Sequence, residues 1–317
     1  MRLFFKLLAC VVITYALAAY ITIQANPEIK FWHSVDQLRD REIAAIRLSQ
    51  PGKPIIFFTG GSSCAFSIDP KIIEYTCGMP AFNLGFPISA GPKYILHQAL
   101  EKTRKGDILV ILLEPDVLTY SSESKPSNSA FGLAIKNGDP SATVGGRSFG
   151  ETLALRDWLN FSRPGPAYLA TWLAKAAIGR GYRYESKDIR YHGRIETQVS
   201  LPTLPLAETK TVNQIDPTGR KILTTFQQAA SQKGVKLFYS MPWLLTAETS
   251  AAENRAANLK ILESIHTVIP TVDDGFLGVA TDATLFSDSA QHLSAKGSTI
   301  RSQGLANALQ VQLGTAR

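Results

Sequence analysis

Cysteine is scarce in this sequence, with three residues in a chain of 317. None of the three has the spacing of a metal site, so the sequence predicts no bound metal. Cys64 and Cys77 flank a predicted helix, 69–77, whose length of about 12 Å exceeds the roughly 7 Å that a disulfide allows between Cα atoms. We therefore expect no bridge between them. Internal repeats are absent, and the lysine of a phosphate-binding loop is missing after Gly60-Gly61.

Charged residues are also few, at 19% of the chain, and the formal net charge is +7. The densest basic stretch, 179–194, is interrupted by Glu185 and Asp188. Scattered basic residues with acidic interruptions are typical of a solvated face, so we expect no nucleic-acid partner. An anionic polymer is an alternative partner for this stretch, and we interpret His192 within it as a surface histidine.

The N-terminus has a long run without charge, between Lys6 and Glu28. Its apolar residues suffice for one membrane-spanning helix of about 20 residues, and we predict that residues 1–25 form a transmembrane anchor or signal segment. The basic residues before it favour a cytoplasmic N-terminus. This pattern predicts a single-pass membrane protein whose globular domain is exported. The alternatives are a signal peptide cleaved at the small residues 16–18 or 24–25, and a buried helix.

Short apolar runs bounded by glycine or proline predict strands that alternate with helices in residues 26–317. Continuous apolar strands are typical of a parallel sheet covered on both faces, so we predict one doubly wound, flavodoxin-like α/β domain. A helix is predicted over 34–48 in the polar segment before the first strand. Residues 115–212 lack this alternation of strands and helices. They are predicted to form a mainly helical insertion, with helices near 151–160 and 167–178. The predicted strands are 54–59, 79–84, 108–113, 235–240 and, less regularly, 268–272.

Three groups of residues with catalytic potential fall where strands of such a sheet end, which is where α/β proteins form their sites. Ser62 follows the first strand, Asn83-Leu84-Gly85 follows the second, and Asp288 and His292 precede the last helix. His292 can act as the base toward Ser62, while Asp288 fixes its tautomer. The backbone N–H groups of Ser62 and Gly85 are candidate donors to an oxyanion. Ser63 is the rival nucleophile, which we interpret as a first-turn helix serine.

These residues resemble the sequence blocks of the SGNH/GDSL hydrolase superfamily. The first block is similar to Gly60-Gly61-Ser62 with Ile68-Asp69, the second to Asn83-Leu84-Gly85 with Gly91, and the last to Asp288, His292-Leu293 and Gly297. The resemblance implies a fold of the SGNH hydrolase type and an acyl-enzyme mechanism without cofactors. With the N-terminal anchor, it implies an exported esterase or O-acyltransferase acting on an acylated polysaccharide or cell-envelope glycan. A membrane acyltransferase is a further implied partner.

Two departures from the family pattern leave alternatives open. The third strand ends at Leu113-Glu114-Pro115-Asp116, where the family places an asparagine that donates to the oxyanion. We interpret both carboxylates there as solvated loop residues. The spacing from Asp288 to His292 is one residue longer than usual, so Asp282 and a backbone carbonyl are alternative partners for the histidine. A non-catalytic glycan-binding or assembly protein in an exopolysaccharide export complex is therefore the alternative function. Asn83 and Trp243 are candidate substrate-binding residues, although Trp243 is equally compatible with a packing role.

Overall fold

A computed structural model describes residues 1–119, 133, 136–137, 166–179, 181–197, 203–206 and 214–314. Its centre is a parallel sheet of four strands in the order β2-β1-β3-β4, which confirms the predicted α/β class with a parallel sheet. The predicted strand at 268–272 is reduced to one bridge, in which Thr271 pairs with Tyr239 beyond β4. The strands are β1 Ile56–Gly60, β2 Ala81–Asn83, β3 Ile108–Leu112 and β4 Lys236–Tyr239.

Helices precede, connect and follow these strands. In the described part of the chain they are α1 Arg2–Ala25, α2 Pro27–Ser49, α3 Ser62–Ser67, α4 Pro70–Cys77, α5 Pro92–Lys102, α6 Asp116–Thr119, α7 Pro166–Ala177, α8 Pro217–Lys233, α9 Glu248–His266 and α10 Ala295–Leu313. The helix predicted at 167–178 corresponds to α7, whereas the one predicted at 151–160 lies outside the described residues.

Both faces of the sheet are buried, which explains why its strands are apolar without alternation. Phe57 and Leu109 point to the face covered by α2, α5, α8 and α9. Phe58 and Val110, one position along each strand, point to the opposite face, where α4 and α10 pack. Because successive side chains of a strand alternate between faces, every position of β1 and β3 must be apolar or small.

The N-terminal helix α1 contains an 18-residue stretch with a mean hydropathy of 2.0 and is long and apolar enough to span a membrane. Near its end α1 joins the globular part, where Ile23 is buried in the core. The next helix, α2, starts earlier than the predicted 34–48, because Asn26 caps it by accepting from the Glu28 N–H over 2.9 Å. Trp32 on α2 then stacks on Phe86, with 5.6 Å between ring centroids, and anchors the helix on the loop after β2.

Two further parts of the chain pack at the edge of the main sheet where its strands end. A second, two-stranded parallel sheet pairs β5 (Leu244–Leu245) with β6 (Val279–Ala280). Part of the predicted insertion also packs there, since the Ile195 N–H donates to the Ala65 carbonyl of α3 over 2.9 Å. The buried Arg39 of α2 donates to the carbonyls of Gly85 and Gly193, at 3.0 and 2.8 Å. These contacts bring residues 181–197 against α3 and the loop after β2.

Candidate active site

The loop before α10 carries the predicted aspartate and histidine. It folds back on itself through an antiparallel bridge between Phe286 and Leu293. This fold places Asp288 Oδ1 2.8 Å from His292 Nδ1. Asp282, the alternative partner, is exposed and accepts hydrogen bonds within its own turn instead. The loop therefore accommodates the extra residue of spacing, and Asp288 is the carboxylate that contacts the histidine.

Tyr184, from the predicted insertion, completes this cluster. Its hydroxyl donates to Asp288 Oδ2 over 2.8 Å and lies 3.2 Å from His292 Nδ1. Burial alone raises the pKa of Asp288. The hydrogen bond and charge of His292, together with the hydrogen bond from Tyr184, outweigh burial, so the pKa of Asp288 lies below its ordinary value. Burial and the neighbouring Asp288 raise the pKa of the Tyr184 hydroxyl. Asp288 is therefore held as a carboxylate that accepts from both partners.

Phe66 connects the histidine with the helix of the predicted nucleophile. The His292 imidazole stacks on the Phe66 ring, with 4.1 Å between centroids and 11° between planes. Ser62 and Phe66 are four residues apart on α3, so their side chains share one face of that helix. Nε2 of His292 has no hydrogen-bond partner among the described residues. The imidazole thus packs on a residue one helical turn from the partly exposed Ser62, and no hydrogen bond joins His292 to Ser62 among the described residues.

Ser63, the rival nucleophile, lies in the first turn of α3 as predicted and is buried. Its hydroxyl donates to Glu114 Oε1 over 2.6 Å, and its backbone N–H donates to the same oxygen over 3.3 Å. The interpretation of Glu114 as a solvated loop carboxylate is therefore wrong, since its side chain is buried behind α3. Asp116, two residues further on, is exposed as expected.

The loop after β2 corrects two predicted roles. The Gly85 N–H donates to Asn83 Oδ1 over 2.9 Å, so it is not free to bind an oxyanion in this arrangement. The Asn83 amide donates to the carbonyls of Cys64 and Ile68, at 2.9 and 3.0 Å, and the residue is fully buried. Asn83 therefore holds α3 against β2 instead of facing a substrate. Of the two predicted oxyanion donors, the Ser62 N–H alone has no acceptor among the described residues.

Trp243, after β4, packs in the interior and also lines a cleft. Its ring is 1% exposed and lies 4.1 Å from the Phe276 ring, and its Nε1–H donates to Asp274 Oδ2 over 2.7 Å. The indole N–H is therefore not available to a ligand. One edge of the residue nevertheless lines a cleft at the end of the sheet, together with Ser63, Glu114 and, from the histidine's loop, Gln291.

The end of the basic stretch is a packed segment, which corrects its interpretation as a solvated face. His192 is buried, and its ring stacks on Phe82 with 4.1 Å between centroids. Arg194 is also buried and forms ion pairs with Asp69 at 2.6 Å and Glu196 at 2.7 Å. Because these carboxylates neutralise it, this part of the stretch presents no free positive charge to an anionic polymer.

Within the described ranges, no group of histidine, cysteine, aspartate or glutamate side chains is arranged to hold a metal ion. Cys64 and Cys77 are free, buried thiols. Sequence reasoning missed Glu114 and Tyr184 as residues of the site. The position of Glu114 directly after a strand was a usable signal, because sites form at strand ends. Tyr184 carried no signal, since it lies in a segment without a recognisable pattern.

No protein-family model and no curated protein matches this chain. Its class therefore follows from its own fold and site. It is an α/β protein with a four-stranded parallel sheet, one N-terminal helix apolar enough to cross a membrane, and an Asp–His pair stacked on the helix of a serine.

Proposed function

We propose that this chain is a membrane-anchored serine esterase or O-acyltransferase of the SGNH type. Its substrate would be an acyl group on a polysaccharide or cell-envelope glycan. The observation that carries the proposal is the placement of His292, whose Nδ1 is bonded to Asp288 and whose ring stacks on Phe66, one helical turn from Ser62. A base oriented by a carboxylate activates a serine when its free nitrogen reaches the hydroxyl, and the proposal requires Nε2 of His292 to do so at Ser62 when substrate binds.

In this mechanism the Ser62 oxygen attacks the carbonyl carbon of the ester, and its proton passes to Nε2 of His292. The carbonyl oxygen becomes an oxyanion that the Ser62 N–H can bind. When the tetrahedral intermediate collapses, the ester C–O bond breaks and His292 returns the proton to the leaving alcohol. The acyl-enzyme then reacts with water or a sugar hydroxyl, whose proton again passes through His292, and the acid or the new ester leaves.

The Asp288 carboxylate, which also accepts from the Tyr184 hydroxyl, determines which ring nitrogen of His292 carries the proton. Because Nδ1 faces Asp288 at 2.8 Å, the neutral ring carries its proton on Nδ1 and presents the lone pair of Nε2 to the serine. Once Nε2 accepts the proton, the imidazolium lies next to a carboxylate that is kept ionised. The charge that develops during attack is therefore stabilised where it forms.

The apolar α1 helix supports the location that we propose, the inner membrane with the globular domain on the periplasmic side. Anchoring keeps the site close to the membrane surface, where a membrane acyltransferase could supply the acyl group. Hydrolysis and transfer share the acyl-enzyme and differ only in which acceptor reaches it.

The test is hydrolysis of p-nitrophenyl acetate by the full chain in detergent. The full chain is needed because Ile23 and Asn26, at the end of the apolar segment, are part of the globular core. We expect Ser62→Ala to abolish both turnover and the acetyl adduct detected by mass spectrometry. Ser63→Ala should still form the adduct, with an altered pH profile. An adduct that persists in Ser62→Ala would overturn the proposal.

A non-catalytic glycan-binding or assembly protein is the second candidate. The observation that favours it is the occupied Gly85 N–H, which donates to Asn83 and leaves the predicted oxyanion hole short of one donor. This alternative predicts no acetyl adduct, together with binding of a polysaccharide that is unaffected by Ser62→Ala.

A further inference from the structure

The position after β3, where the resemblance implies an asparagine, is occupied by a buried carboxyl group. Glu114 is 6% exposed, and its Oε1 accepts both hydrogen bonds from Ser63. Its Oε2 is buried and has no hydrogen-bond partner among the residues that the structure describes. A buried carboxylate oxygen without a hydrogen-bond partner lowers the stability of the fold, so we look for a functional role that compensates for it.

This carboxyl group lies against the backbone that leads into Ser62. A Cβ atom at Gly61 would lie 2.2 Å from Glu114 Oε1 and 2.3 Å from Oε2, so only glycine admits the carboxyl here. Glu114 also lines the cleft shared with Trp243 and Gln291. The carboxyl group therefore lies beside the residue that precedes the nucleophile, and Glu114 lines a cleft at the end of the sheet.

The surroundings of Glu114 favour its protonated form. Burial raises the pKa of Glu114, and the hydrogen bonds from Ser63 and the charge of His292 only partly oppose this effect. No lysine or arginine side chain forms an ion pair with it in the described part of the chain. Four titratable groups face it from the neighbouring elements: His292, Cys64 of α3, Tyr239 of β4 and, two residues further along, Asp116.

A protonated Glu114 would supply what the site lacks. The Gly85 N–H is used by Asn83, so the oxyanion has one predicted backbone donor, at Ser62. With Oε1 accepting from Ser63, the proton of the acid resides on Oε2, which makes this atom a donor. A carboxylic acid kept neutral by an apolar site can donate to a developing oxyanion, as an asparagine amide does.

We propose that Glu114 in its protonated form donates a hydrogen bond from Oε2 to the oxyanion and so occupies the functional place of the missing asparagine. This role rests on the proposed acyl-transfer function. It makes Glu114 a catalytic residue that neither gains nor loses its proton during the reaction.

The experiment compares Glu114→Gln with Glu114→Ala in the full chain, using p-nitrophenyl acetate across a range of pH. Glutamine can accept from Ser63 with its oxygen and donate with its amide, so we expect kcat/KM within about tenfold of wild type. Alanine removes the donor, and we expect a loss of about 10²–10³-fold. In wild type, activity should fall as pH rises through the pKa of Glu114, and this fall should be absent in Glu114→Gln.

An infrared difference spectrum, wild type against Glu114→Gln, reports protonation without activity. We expect the C=O stretch of a protonated carboxyl group at neutral pH in wild type only, and its absence would overturn the proposal. The proposal also fails if Glu114→Ala retains full activity, or if a folded Glu114→Gln is as inactive as Glu114→Ala. Hydrolysis that does not depend on Ser62 would instead refute the proposed function, and the donor role with it.

Discussion

Replacing Asp288 by asparagine removes the negative charge of the side chain but keeps its shape. An asparagine can accept from His292 Nδ1–H over the present 2.8 Å and donate to the Tyr184 oxygen, so the geometry is retained. What disappears is the attraction between the carboxylate and the imidazolium. For charge centres about 4 Å apart and an effective dielectric constant of about 20, that attraction is roughly 4 kcal/mol. We therefore expect kcat/KM for p-nitrophenyl acetate to fall by about 10³-fold.

The matched control is Asp282→Asn, because Asp282 is exposed and bonds only within its own turn and to Lys296. Its kcat/KM should equal that of wild type, and circular dichroism should show that both variants are folded. If Asp288→Asn is as active as wild type, the carboxylate does not stabilise the histidine. If Asp282→Asn loses as much activity as Asp288→Asn, the wrong carboxylate has been assigned.

Two further predictions concern the neighbours of the pair. Tyr184→Phe removes a hydrogen bond that holds the pKa of Asp288 down, so we expect lower stability than wild type at neutral pH. The difference should begin to shrink as pH falls below 3.8, the ordinary value for aspartate, and its pH-dependent part should be lost as pH falls through the lower folded-state pKa of Asp288. Gly85→Ala places a Cβ 2.2 Å from the Ala65 backbone nitrogen, which must displace α3. We expect a loss of about 1–3 kcal/mol in thermal denaturation and reduced activity.

The stability difference between Tyr184→Phe and wild type depends on pH through the pKa of Asp288. A lowered folded-state pKa stabilises the protein above the unfolded pKa, and that stabilisation is lost in acid. A difference between Tyr184→Phe and wild type that persists unchanged in acid would refute the assigned hydrogen bond. For Gly85→Ala the control is Gly181→Ala, where an added Cβ meets no atom within 4 Å. Equal stability of these two alanine variants would refute the close approach of the loop to α3.

Much of the sheet could be predicted from the sequence. The apolar runs at 54–59 and 108–113 correspond to β1 and β3, because strands buried on both faces leave a continuous apolar signal. The run at 268–272 has the same character but contributes one bridge. Whether an apolar segment pairs at a sheet edge depends on tertiary contacts that no local pattern encodes.

The site was predictable only in part. A carboxylate–imidazole contact was expected from the resemblance of the loop before α10 to the last sequence block, and the structure places Asp288, not Asp282, against His292 through the fold of that loop. The burial of Glu114 was not predictable, because Glu-Pro-Asp after a strand is an ordinary loop sequence. It results from packing against α3, and Gly61, the residue before that helix, leaves room for the carboxyl group.

The pairing of Asn83 with Gly85 was not predictable for a related reason. A side-chain amide and a backbone N–H within one loop satisfy each other, and sequence patterns do not reveal such internal pairing. Tyr184 reaches the histidine from a segment 108 residues away, where no periodicity marks it.

Labelling of the full chain with a fluorophosphonate tests most directly whether the serine of α3 is a nucleophile activated by His292. Peptide mapping should find the phosphonyl group on Ser62, and His292→Ala should abolish the reaction while thermal denaturation shows an intact fold. A label on Ser63, or labelling of His292→Ala at the wild-type rate, would contradict the mechanism.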